Sequence, residues 1–178
     1  MSFKKTVFPA IILAVICVVM GGATALTNHL TKDRIAAVEQ ERYLAAAREV
    51  LPADALIPLE EEGIEGFLGK NAAGEVVGYV IKRAARGYGG DVSCVVGIST
   101  EGVIVGLSVS APDETPGLGV NVQKKDFTDA FLGLGAGNAP TLGDNVDGVT
   151  SATYSSRAVE SAVRAALADF ELLTKGGV

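Results

Sequence analysis

The chain has 178 residues, 48% of them hydrophobic, and a net charge of −6, with a mean hydropathy of +0.35. That length fits one modest domain and an additional segment, and the acidic balance without a basic stripe excludes nucleic acid as a partner. One histidine and two cysteines supply neither a Ser/His/Asp or Cys/His catalytic set nor the ligands of a metal or iron–sulfur centre.

The hydrophobic excess is concentrated at the start. Thr6 to Leu26 reads TVFPAIILAVICVVMGGATAL, without a charge, and is about long enough to cross a hydrocarbon core as a helix. Its Ile, Leu, Val and Phe residues each favour insertion by about 0.3–0.6 kcal/mol, which outweighs Pro9 and the Gly21-Gly22 pair. A cleaved signal peptide is the rival, because Lys4 and Lys5 form a basic start and Ala23-Thr24-Ala25 imitates a cleavage site. The apolar run exceeds a usual signal core, so a retained single-pass anchor in the bilayer, residues 1–28, is the expectation. Lys32, Arg34 and Arg42 follow the span closely, and charge on both sides leaves the orientation open. His29 reads as an interfacial polar residue. Cys17 lies in the span and Cys94 in a strand, without CxxC spacing.

Thr31 to Val50 has helical spacing, with Thr31 and Asp33 suited to its start and Pro52 closing it. It extends the membrane helix or follows a bend near Thr27-Asn28, as a solvated stalk that carries no site. Residues 29–62 are thus stalk and linker, and residues 63–178 a separate domain. From Gly63 the chain breaks into short apolar runs. Glu75–Lys82, Val92–Ile98 and Val103–Val109 read as three strands, with turns at Asn71–Gly74 and Ser99–Gly102. The short second link requires an antiparallel hairpin. A helix is expected over Gln123–Leu132, where Phe127 and Phe131 sit four apart, followed by a loop over Gly133–Asn145. The fold class is α+β, an antiparallel sheet with helices on one face.

The last segment holds the chemistry. Val159, Val163, Leu167, Phe170 and Leu173 recur at helical spacing, with Lys175 and Gly176 as a basic last turn and a stop. The helix starts at or just after a cluster of hydroxyls, Thr150, Ser151, Thr153, Ser155 and Ser156, preceded by Asp147-Gly148-Val149. Such hydroxyls cap free backbone N–H groups, or leave those groups to a phosphate. Two glycine-bearing loops precede this motif in the chain, Gly87-Tyr88-Gly89-Gly90 and Glu114-Thr115-Pro116-Gly117-Leu118-Gly119. Pro116 forces Thr115 toward extended backbone, and Gly117 and Gly119 permit close approach to a flat ligand.

Asp147-Gly-Val-Thr-Ser-Ala-Thr153 resembles the flavinylation motif Asp-x-x-Ser/Thr-Gly-Ala-Ser/Thr, whose final hydroxyl carries FMN through a phosphoester installed by a flavin transferase. With the two loops in order, over the last hundred residues, the chain resembles the FMN-binding subunits of membrane redox pumps. These are the G subunit of the Rnf complex and the C subunit of the sodium-translocating NADH:quinone reductase. The resemblance implies covalent FMN on Thr153, with Thr150, Ser151, Ala152 and Ser155 around the phosphate end. It implies that Tyr88, Gly89, Glu114, Thr115, Gly117, Leu118 and Gly119 lie against the flavin, on the extracytoplasmic side of the cell membrane. Two departures stand out: Ser151 replaces the usual glycine, for which its small size suggests tolerance, and Pro112-Asp113 stand where relatives often carry histidine.

A helix terminus contributes about 0.3–2 kcal/mol to holding an anion, against the ~8 kcal/mol of micromolar retention, so a shallow site needs the covalent bond. The resulting expectation is an electron-transfer component of a ferredoxin:NAD oxidoreductase ion pump of the Rnf type, with other membrane subunits as partners and no turnover alone. A flavin carrier like the C subunit of the quinone reductase, a flavin module of another extracytoplasmic reductase, and a flavin-free anchored adaptor are the alternatives.

Overall fold

The computed structural model describes residues 3–61 and 63–175, with side chains from residue 8 onward. It divides into two compact units, Met1–Arg42 and Tyr43–Val178. Helix α1, Phe3–Val50, contributes to both. In the first unit, α1 is long and apolar enough to cross a membrane, by length and composition. Phe8, Ile11, Leu13, Ile16, Val18 and Met20 are all exposed there, as lipid-facing residues would be. Thr24, Thr27 and Thr31 donate their hydroxyls to the carbonyls four residues back, at 2.9, 2.9 and 2.8 Å. Each polar side chain is thus satisfied inside the helix. No break occurs at Thr27-Asn28: of the two stalk geometries expected, the continuous one is found.

The second unit is built on a five-stranded antiparallel meander in the order β1-β2-β3-β4-β5. The strands are β1 Ala55–Pro58, β2 Glu65–Lys70, β3 Val76–Arg86, β4 Asp91–Ser99 and β5 Ile104–Ser110. The expected turns are present. Asn71 Oδ1 accepts the N–H groups of Ala73 and Glu75, and Gly102 N–H reaches the Ser99 carbonyl. The first two strands went unforeseen, because Ala55–Pro58 contains a proline and Glu65–Lys70 contains two glycines and two charges, which hides the alternation. The expected helix over Gln123–Leu132 is instead a 3-10 turn Gly119–Gln123, a single helical turn α2 Lys125–Thr128, and a second 3-10 turn Asp129–Phe131. Phe127 and Phe131 are nonetheless buried together, ring edge to face at 5.3 Å.

Helix α3, Thr153–Lys175, lies on one face of the sheet. Its stripe of Val159, Val163, Leu167, Phe170 and Leu173 is buried against Tyr79, Ile81, Cys94, Val96 and Ile98. Arg83 of β3 and Asp169 of α3 form a hydrogen-bonded ion pair across this layer. Gly176 lies outside the described residues. The other face is covered as well, which corrects the expectation of helices on one face only. The last turns of α1 place Tyr43, Ala47, Val50 and Leu51 against Phe67, Val80 and Val95. The alternation explains it: Tyr79 and Ile81 point to α3 while Val80 points to α1. Both faces of a central strand that apolar need a cover. At Gly106 of β5 a Cβ would overlap the Val50 carbonyl, so the helix end rests directly on the sheet backbone. The charged texture of Glu39, Glu41 and Arg48 concealed this second buried face.

Candidate functional site

Helix α3 begins at Thr153, and the way it begins sets up the site. The Ser156 N–H is the first to bond back along the helix, to the Ala152 carbonyl at 2.9 Å. Ala152 is therefore the capping residue, and it has no side-chain acceptor. The hydroxyl cluster does not cap the helix in the ordinary way. Ser156 turns backwards: its Oγ accepts the Val149 N–H at 3.0 Å and donates to the Ala152 carbonyl at 3.0 Å. That brace holds the approach to the helix and leaves the N–H groups of Thr153, Tyr154 and Ser155 without a side-chain acceptor among the described residues. They carry the partial positive charge of the helix terminus.

Ser151 sits at φ 65°, the one non-glycine residue with positive φ among the described residues. This is the position at which the resembling family carries glycine. Side-chain size is therefore not what limits this position; the backbone is, because a Cβ in the left-handed region costs roughly 1–2 kcal/mol. Thr150 and Ser151 are exposed, Ala152 and Ser155 are buried, and Thr153 is exposed at the first position of the helix.

The two glycine-bearing loops meet each other and the start of α3. Glu114, only 3% exposed, accepts the Tyr88 N–H on Oε1 at 2.7 Å. Its Oε2 is buried without a hydrogen-bond partner among the described residues. Gly119 is packed so closely that a Cβ would overlap Glu114 Oε2 and meet Ser155 Oγ at 2.9 Å. A carboxylate from one loop, a backbone N–H from the other and a helix hydroxyl thus share one buried point. Gly89 abuts the Asp113 carbonyl. Thr115, Gly117 and Leu118 remain exposed, and Gly117 takes φ 77°, which explains its residue type. The Gly117 carbonyl is held by Asn121 Nδ2 at 2.8 Å.

Two neighbours of Thr153 escaped the sequence reading. Tyr154 is 68% exposed and faces Tyr88, 72% exposed, with ring centroids 6.2 Å apart and planes at 45°. Arg157, one turn after Thr153, lines a groove of about 500 Å³ with Thr150, Ser151, Thr153 and Glu160, and is in no ion pair among the described residues. The signal was available for Arg157, since residues four apart share a helix face. For Tyr154 there was none, because its partner lies in a different loop, far away in the chain.

Residues 87–168 match the family model of an FMN-binding domain, and residues 1–50 match that of the RnfG N-terminal region. The G subunit of the Na(+)-translocating ferredoxin:NAD(+) oxidoreductase complex of Acetobacterium woodii is 33% identical over 198 residues, covering 96% of this chain and 95% of that protein. The chain belongs to the RnfG family. A second relative, the G subunit of the ion-translocating oxidoreductase complex of Methanosarcina acetivorans, is 30% identical over 94% of this chain and 96% of its own length. The crystal structure of Shewanella oneidensis NqrC has the same fold, with a TM-score of 0.50 at 20% identity over 61% of each chain. As an RnfG protein, the chain is an electron-transfer component at a membrane, and its FMN-binding domain begins at the first glycine of the loop after β3.

The residues present fit that cofactor. Uncapped N–H groups suit a phosphate, an unpartnered buried carboxylate oxygen suits a hydrogen-bond donor of the ligand, and exposed aromatic rings suit a flat heterocycle.

Proposed function

We propose that this chain is the FMN-carrying subunit of an Rnf-type ferredoxin:NAD oxidoreductase, with FMN esterified through its phosphate to the Thr153 hydroxyl. The observation that carries the reading is the start of α3. Thr153 is exposed at the first helical position, behind an alanine cap, so its hydroxyl and the free N–H groups address the same phosphate. Thr150 and Arg157 flank that phosphate along the groove. The loops Gly87–Gly90 and Glu114–Gly119 hold the ring end, with Glu114 Oε2 as acceptor. When bound, FMN supplies the one- and two-electron redox chemistry. The protein supplies position and electrostatics, and Thr153 is an attachment point with no role as a nucleophile in turnover.

The flavin domain lies outside the cytoplasm, loaded there by a separate flavin transferase, and works against the other membrane subunits of the complex. Protein matured with such a transferase shows flavin fluorescence in a denaturing gel. Thr153→Ala abolishes that band and Thr153→Ser keeps it. A fluorescent Thr153→Ala band would overturn the assignment. An exposed charge pair contributes about 0.2–1 kcal/mol, so Arg157→Ala slows loading by no more than about fivefold.

A further inference from the structure

Tyr88 and Tyr154 are large rings left more than two-thirds exposed, yet they converge from the β3–β4 loop and the second residue of α3 to 6.2 Å. Neither is filling the core, and each is held in place. The Tyr88 backbone is fixed by the buried Glu114 carboxylate at 2.7 Å and by the Gly87 N–H to Gly90 carbonyl bond at 2.9 Å. Tyr154 rides on a helix whose stripe is buried along its length. The pair therefore presents a preformed aromatic surface that starts at the residue following Thr153. Tilted at 45° with centroids 6.2 Å apart, and each more than two-thirds exposed, the rings leave faces free for a third flat group.

We propose that Tyr154 and Tyr88 form the aromatic rest for the isoalloxazine ring of the flavin carried on Thr153. The inference rests on the attachment reading above and names the contact that positions the ring. A tethered ring samples the space over Tyr154 at high effective concentration, so a modest stacking interaction suffices to seat it. Phenol is electron-rich and isoalloxazine electron-poor, which favours offset stacking. Such contact also quenches flavin emission, which makes it measurable without turnover.

The test uses the full-length protein matured with a flavin transferase and purified in detergent, as parent, Tyr154→Leu, Tyr88→Leu, the double leucine variant and Tyr154→Trp. Intact mass reports attachment, and emission and visible circular dichroism are read per attached flavin. All five proteins carry one flavin. Emission rises severalfold and the visible dichroism collapses in the leucine variants, most in the double variant, whereas Tyr154→Trp stays quenched. Per-flavin emission and dichroism unchanged in the double leucine variant would overturn the proposal and leave the pair as a surface for another protein of the complex. A parent without flavin mass would overturn the Thr153 reading and this one with it, and the mass distinguishes the two failures.

Discussion

Ser151 stands where the flavinylation motif that this chain resembles has glycine, and its backbone angle sets the cost. At φ 65° a serine stores roughly 1–2 kcal/mol that glycine does not. Glycine is more flexible when unfolded, which offsets part of that gain. Ser151→Gly therefore raises the thermal midpoint by a few degrees, measured by the unfolding of the loaded protein, without loss of flavin. An unchanged or lower midpoint would mean that the serine hydroxyl has a compensating partner. Cys94 offers a second check at this scale. Burial against α3 pushes its thiol up from 9.0 to about 12, because the thiolate has no water or cation to stabilise it. The folded state keeps the proton that the unfolded chain loses above pH 9. Its contribution to stability is present below that pH and falls by about 1.4 kcal/mol per pH unit up to about pH 12. Chemical denaturation between these limits checks it: Cys94→Ala is less stable at neutral pH but loses less on going alkaline than the parent.

Among the elements, β3, β4 and β5 are legible as short apolar runs bounded by turn residues, and α3 as a stripe at helical spacing. β1 and β2 are not, since their pairing partners supply what their own sequences lack: Phe67 is paired to Val80 and Pro58 to Phe67. The end of α1 has the sequence texture of a solvated stalk for a related reason. Small Ala47 and the glycine at 106 let the helix approach the sheet, and no hydrophobic run announces that contact. Gly106→Val is expected to lift this end of α1 and destabilise the domain by more than about 2 kcal/mol, the scale of an overpacked core. Urea unfolding measures it, and a midpoint equal to the parent's would show that α1 is not seated there. On the opposite face, Asp169→Ala removes the partner of Arg83 and costs about 1.5–3 kcal/mol, by the same assay.

For the whole molecule, the family motif was legible as an order of residue types, but its geometry was not. The sequence suggests hydroxyls capping a helix; the structure has an alanine cap, a backward-braced Ser156 and free N–H groups beside an exposed threonine. The convergence of Glu114, Tyr88, Gly119 and Ser155 joins segments too far apart in the chain for any local pattern to reveal. On the proposed carrier reading, turnover requires the other subunits of the complex. The purified protein is accordingly expected to show no turnover with NADH and quinone, and sustained turnover by this chain alone would contradict the carrier role. A cysteine introduced at Leu172, which is 64% exposed, is expected to react with a membrane-impermeant reagent in intact cells; protection there would reverse the orientation. The attachment itself is tested most directly by fragmenting the tryptic peptide that ends at Arg157, taken from transferase-matured protein. The account predicts the FMN phosphoester on Thr153. Flavin on Thr150, Ser151 or Ser155, or on no hydroxyl of that peptide, would contradict it.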